Sequence, residues 1–154
     1  MDLIKKNIEK GRIVYYDKGY YIKSWTTRTP EWIKEHVDLL NKIVPDYVFD
    51  YGDNWISYRT IEGTLANTFE HTDEFIQKIY DFCIESIKHT YPYVHGDWVL
   101  SNIIVKDDGS LMLIDWDNIG IYPKDEYMSK LHRDLISAFG EERFKGIIND
   151  TTGI

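Results

Sequence analysis

The chain has 154 residues, 43% of them hydrophobic and 29% charged, with a formal net charge of −8. That is one domain's worth of chain, or two small lobes. The acidic balance argues against nucleic acid or an anionic membrane as partner and would suit a cationic small substrate. The single cysteine, Cys83, excludes an intrachain disulfide and fits a reducing compartment. Met1 to Lys10 alternates charge with Leu3, Ile4 and Ile8, which is unlike a signal or transit peptide. No apolar run approaches the ~20 residues that span a bilayer, so the expected location is cytoplasmic.

In chain order, residues 1–25 read as strands. Arg12 to Tyr16 and Gly19 to Trp25 are rich in β-branched and aromatic residues, with the turn Asp17-Lys18-Gly19 between them. Thr29-Pro30-Glu31 is a helix start: a capping hydroxyl, proline at the first helical position, then an acid suited to the positive helix end. Ile33, Val37, Leu40 and Val44 recur at helical spacing, and Pro45 stops the run. Tyr47 to Phe49 and Trp55 to Tyr58 predict two more strands, followed by R-T-I-E-G. From Thr72 the pattern is helical again, with Phe75, Ile79, Phe82, Cys83 and Ile87 predicted on one face and Cys83 buried and inert.

The stretch Tyr93 to Trp116, Y-V-H-G-D-W-V-L-S-N-I-I-V-K-D-D-G-S-L-M-L-I-D-W, carries the chemistry. Ile103 to Val105 and Leu111 to Ile114 predict a β-hairpin closed by Asp107-Asp108-Gly109. Such a hairpin sets Asn102 beside Asp115, with Asp97 facing the same space. Phosphoryl transfer by a kinase requires a carboxylate to orient and deprotonate the acceptor hydroxyl, and an amide plus a carboxylate to hold Mg²⁺. Beyond it, Asp125 to Phe139 predicts a helix with Met128, Leu131, Leu135 and Phe139 inward, and a short amphipathic tail holds Phe144, Ile147 and Ile148.

H-G-D-W-V-L-S-N followed by L-I-D-W resembles the catalytic and metal loops of the aminoglycoside phosphotransferase and choline kinase family, which has a protein-kinase-like fold. The resemblance implies ATP and Mg²⁺ as cofactors, Asp97 as the catalytic aspartate, and Asn102 and Asp115 as metal ligands. It makes Lys23 the nucleotide-binding lysine of the third small-lobe strand. Glu35 is then its partner from the helix, with Glu31 as competitor. Thr60, Ile61 and Glu62 become the backbone segment that bonds the adenine edge, with Gly63 letting the chain turn. Asp134-Leu135 resembles an element that braces the catalytic loop. The tetrapeptide His132-Arg133-Asp134-Leu135 imitates a kinase catalytic loop inside a helical pattern, and Phe139 stands where an asparagine is needed. His95 is expected to be structural.

Two features depart from the family. The phosphate-covering loop should lie near Ile8 to Ile13, where only Gly11 is a glycine, and the insert that builds an acceptor pocket is missing or shrunken. The expectation is therefore a miniature α/β (α+β) two-lobed kinase-like fold, with an antiparallel-sheet lobe over 1–63 and a helical lobe over 64–154. The expected activity is transfer of the γ-phosphate of ATP to a hydroxyl of a small metabolite, a cationic one being suited to the acidic chain. A compact RIO-like kinase acting on protein is the alternative, and a catalytically weak nucleotide- or partner-binding module is the third reading.

Overall fold

The computed structural model describes residues 2–7 and 11–148. The chain packs as two units, Met1–Ile61 and Glu62–Ile154.

The first unit is a five-stranded antiparallel sheet of β1 (Asp2–Asn7), β2 (Arg12–Asp17), β3 (Tyr20–Trp25), β4 (Val48–Tyr51) and β5 (Trp55–Arg59), in the order β1-β2-β3-β5-β4. Helix α1 (Pro30–Ile43) packs on β4 and β5. The Thr29 hydroxyl accepts the Trp32 N–H at 3.1 Å, the capping bond that the sequence predicts. Ile33, Val37 and Leu40 on α1 are buried, as are Val14, Trp25, Ile56 and Tyr58 of the sheet.

The second unit holds a small sheet of β6 (Thr64–Leu65), β7 (Ile103–Val105) and β8 (Leu111–Leu113), with helices α2 (Asp73–Thr90), α3 (Lys124–Phe139) and α4 (Glu141–Ile148). Thr72 caps α2 by accepting the Phe75 N–H at 3.1 Å. The buried stripe of α2 is Ile76, Ile79, Tyr80, Cys83 and Ile87. It is turned from the predicted face: Phe75 and Phe82 are only half-buried, and Phe75 stacks on Phe69 at 5.7 Å. Against this stripe lie α3, through Leu131, Leu135 and Phe139, and α4, through Phe144 and Ile148. Truncating a fully buried side chain such as Leu131 would cost about 2–5 kcal/mol. Burial raises the Cys83 thiol pKa far above its ordinary range, so it is no nucleophile.

Strand β6 escaped the sequence reading. It is two residues long, and its pairing Thr64↔Val105 and Leu65↔Ile104 is set by β7 and not by its own composition. Gly63, just before it, has φ +148°, and a Cβ there would lie 2.5 Å from the Val105 carbonyl oxygen. Only glycine lets the chain enter β6 so close to β7.

Candidate active site

The predicted hairpin forms, with the register Ile103↔Leu113 and Val105↔Leu111. Its turn is held by Ser110, whose N–H and hydroxyl both donate to Asp108 Oδ1 at 2.9 and 2.6 Å. These bonds hold the Asp108 carboxyl below its ordinary pKa. At the open end the Ile114 N–H donates to the Asn102 carbonyl at 2.8 Å, so Asn102 and the segment entering Asp115 run side by side. Asp115 has φ +60°, a left-handed conformation that costs an L-residue of order 1–3 kcal/mol and is typical of functional turns.

Asp97 lies in the loop before the hairpin with its side chain 28% exposed. Asn102 is buried and donates Nδ2–H to Asp97 Oδ2 at 3.1 Å and to the Asp97 carbonyl at 3.3 Å. Its amide oxygen makes no hydrogen bond among the described residues. That oxygen and the Asp115 carboxylate are hard donors that fit Mg²⁺, which usually takes few protein ligands and completes its shell with phosphates and water. No cluster of three His, Cys, Asp or Glu suited to a metal occurs among the described residues.

His95 is fully buried beneath this loop. Its Nδ1 accepts the Asp97 N–H at 3.2 Å, and its Nε2 lies 2.8 Å from the Ile114 carbonyl oxygen. The two bonds define one neutral tautomer, with the proton on Nε2. Burial depresses its pKa, against the opposing pull of the Ile114 bond and of Asp115, Asp97 and Asp117. His95 is a strut between the Asp97 loop and the segment that enters Asp115.

Gly96 explains why the motif reads H-G-D. Its φ is +86°, and a Cβ would meet the Asn118 carbonyl oxygen at 2.9 Å. Asn118 comes that close because Val94 and Gly120 form a two-bond bridge at 2.8 and 3.1 Å. The loop is braced from the other side by α3: Asp134 Oδ2 accepts the Trp98 N–H at 3.0 Å. The imitation motif thus lies within a helix, as expected, and its aspartate supports the loop. His132 packs on Tyr80 and Phe144.

In the first unit, Lys23 sits on the central strand β3, opposite Val14 and Ile56. It is only 8% exposed, with its ammonium 5.5 Å from the Tyr58 ring centroid. A lysine this buried on a middle strand is not an ordinary solvated charge. Glu35 does not meet it. Glu35 is exposed and its carboxylate makes no ion pair or hydrogen bond among the described residues, and the carboxylate of Glu31 behaves likewise. The buried position of that helix turn is His36, which stacks on Trp32 at 4.6 Å. The cause is helical phase: the stripe Ile33, Val37, Leu40 includes position 36 and puts position 35 on the opposite side.

The Thr60 N–H donates to the Gly19 carbonyl at 3.3 Å, and its hydroxyl bonds the same oxygen. The backbone groups of Ile61 and Glu62 make no hydrogen bond among the described residues. Of the loop expected near Ile8 to Ile13, residues 8–10 lie outside those described, and the Gly11 carbonyl accepts the Thr26 N–H at 2.9 Å.

One residue of the site escaped the sequence reading. Lys130 Nζ lies 2.6 Å from both carboxylate oxygens of Asp134 and 3.9 Å from Asp97 Oδ1. The available signal was its spacing, four residues before Asp134 on one helix face.

The sequence matches the RIO domain over residues 7–145. The chain belongs to the RIO domain family. RIO domains are atypical kinase domains of protein-kinase-like fold. The match is not specifically to the aminoglycoside phosphotransferases, and the kinase-like α+β fold stands. Among solved structures, a 2.2 Å crystal structure of WbdD matches with a TM-score of 0.56 and 15% identity over 86% of this chain and 36% of that one. WbdD co-crystallised with the kinase inhibitor LY294002 gives 0.59 and 14% over 86% and 36%. Monomeric WbdD gives 0.56 and 13% over 90% and 39%. WbdD is a bifunctional kinase-methyltransferase, and the chain spans little more than a third of its length. No curated protein matches the chain in sequence. No helix of the described residues is long and apolar enough to cross a membrane.

Proposed function

We propose that this RIO domain is an ATP- and Mg²⁺-dependent phosphotransferase whose acceptor is a hydroxyl group of a protein. The observation that carries this is the Asp97 carboxylate, partly exposed and held on one oxygen by Asn102 at 3.1 Å. Asp97 would orient the acceptor hydroxyl and take its proton as the oxygen–phosphorus bond forms and ADP leaves. Mg²⁺ on the Asn102 amide oxygen and the Asp115 carboxylate would neutralise charge on the phosphates. Lys23 contributes a cation for the phosphates. The backbone of Ile61 and Glu62, without a hydrogen bond among the described residues, offers donors and acceptors to the adenine edge.

A small hydroxylated metabolite is the second reading, favoured by an open recess of about 350 Å³ on the second unit. Its wall mixes apolar Val99, Leu100 and Ala138 with polar Asn67, His71 and Ser101, a lining that suits a small molecule held by a few polar groups. The test is ATP consumption with Mg²⁺ against mixed protein and against hydroxylated metabolites, with Asp97→Asn as the blank. Transfer to protein that the blank lacks supports the first reading, and transfer only to a metabolite supports the second. No difference between wild type and blank overturns both.

A further inference from the structure

Helix α3 reaches the catalytic loop with two side chains. Asp134, its side chain only 10% exposed, binds the Trp98 N–H and fixes the Lys130 ammonium at 2.6 Å on both oxygens. The Lys130 side chain is itself 36% exposed, and its ammonium stands 3.9 Å from Asp97 Oδ1, while Asn102 occupies Oδ2. Among the described residues Lys130 is the one cation within 4 Å of Asp97. The loop from Asp97 to Asn102, D-W-V-L-S-N, contains no basic residue.

A carboxylate poised to receive a proton from an attacking hydroxyl also faces the negative phosphoryl group being attacked. That repulsion opposes the reaction unless a fixed positive charge offsets it, and a charge already held in place needs no reorganisation during the step. We infer that Lys130 is the positioning residue of this site. Anchored by Asp134, its ammonium aims the free oxygen of Asp97 and offsets the carboxylate's charge. The inference rests on Asp97 acting as proposed above. The competing role is purely structural, with Lys130 serving only as counter-ion to Asp134.

The experiment is Mg²⁺-dependent phosphate release from ATP by the full chain, water being the acceptor, with melting temperatures measured in parallel. Lys130→Met should lower kcat by about 10- to 100-fold and move KM for ATP by less than about threefold. Lys130→Arg, which restores the charge, should recover most of the rate. In an Asp97→Asn background, Lys130→Met should lower the residual rate by less than about twofold, because its effect passes through Asp97. Any loss of melting temperature should persist in that background. Lys130→Gln keeps a donor towards Asp134 and removes only the charge, so it replaces Lys130→Met if that variant does not fold. Wild-type kcat in Lys130→Met or Lys130→Gln, or an equal loss in the Asp97→Asn background, would overturn the inference and leave the proposed function standing. A wild type that releases phosphate no faster than Asp97→Asn would overturn the inference, and the proposed function then falls only if transfer to protein and to metabolites also matches the blank.

Discussion

Helix α1 of the first unit and the β7–β8 hairpin of the second were each expected to bring a residue to a distant partner. The hairpin closes with Asn102 bonded to Asp97 and running beside the segment that enters Asp115. Helix α1 forms over the expected span and caps as expected, yet it carries Glu35 on its exposed side. The two cases depend on different physics. A short hairpin fixes its register through its turn and through side-chain alternation, both local in sequence. The facing of a helix residue depends on rotation about the helix axis, where one position shifts the side chain by about 100°. Local closure is legible in a sequence, whereas phase has to be read from the whole apolar stripe.

The largest effect that would break this comparison is expected at Gly96. Gly96→Arg turns the motif into the kinase spelling H-R-D, but it forces a side chain onto φ +86° and against the Asn118 carbonyl oxygen. It should destabilise the protein by about 1–3 kcal/mol and abolish turnover. An unchanged denaturant midpoint would show that the loop is not held as tightly as its geometry implies.

The helix starts sharpen the contrast, because both units use the same device. Thr29→Ala and Thr72→Ala should each cost about 1 kcal/mol in a chemical melt. If α1 proved indifferent to its cap while α2 did not, the difference between the units would lie in helix formation rather than in phase.

A smaller effect separates the second unit by pH. Burial and, after it, Lys145 hold the His132 pKa below its ordinary 6.5. The unfolded chain therefore takes up a proton near 6.5 that the folded chain refuses. This contribution to stability is complete above 6.5 and is lost as the pH falls below it towards the folded value. His132→Phe should flatten the acid slope of stability, and an unaltered slope would contradict the assignment.

The smallest effect is expected at Glu35. Glu35→Ala should change stability by no more than about 0.5 kcal/mol and leave nucleotide affinity unaltered. A marked loss of nucleotide affinity, measured by calorimetry, would mean that α1 turns on binding and that Glu35 meets Lys23 after all.

Most of the fold was legible because its punctuation is local. The caps Thr29 and Thr72, the Asp17-Lys18-Gly19 and Asp107-Asp108-Gly109 turns, and Gly140 after α3 each bound an element near its predicted limit. Illegible were features that arise only in tertiary contact. The two-residue strand β6 exists through β7, and the face of α2 turned to Ile76 and Tyr80 once α3 and α4 packed on it. In the site, the approach of Asn102 to Asp97 and to the segment entering Asp115 could be read from spacing and the hairpin turn. Lys130 could not, because its approach to Asp97 requires α3 to dock beneath the catalytic loop. Glu35 was assigned by position in a family pattern, although the stripe Ile33, Val37 and Leu40 already placed it outward.

If Asp97 performs the chemistry while Asp134 supports the loop, one paired measurement of phosphoryl transfer and melting separates the two roles. Asp97→Asn should lower transfer by the ~10²–10⁴ that a positioned general base supplies, with little change in melting temperature. Asp134→Ala should instead leave the buried Trp98 N–H without its acceptor and cost about 1–3 kcal/mol of stability. Wild-type transfer by Asp97→Asn would contradict the account, and the site built on Asp97, Asn102 and Asp115 would fall with it.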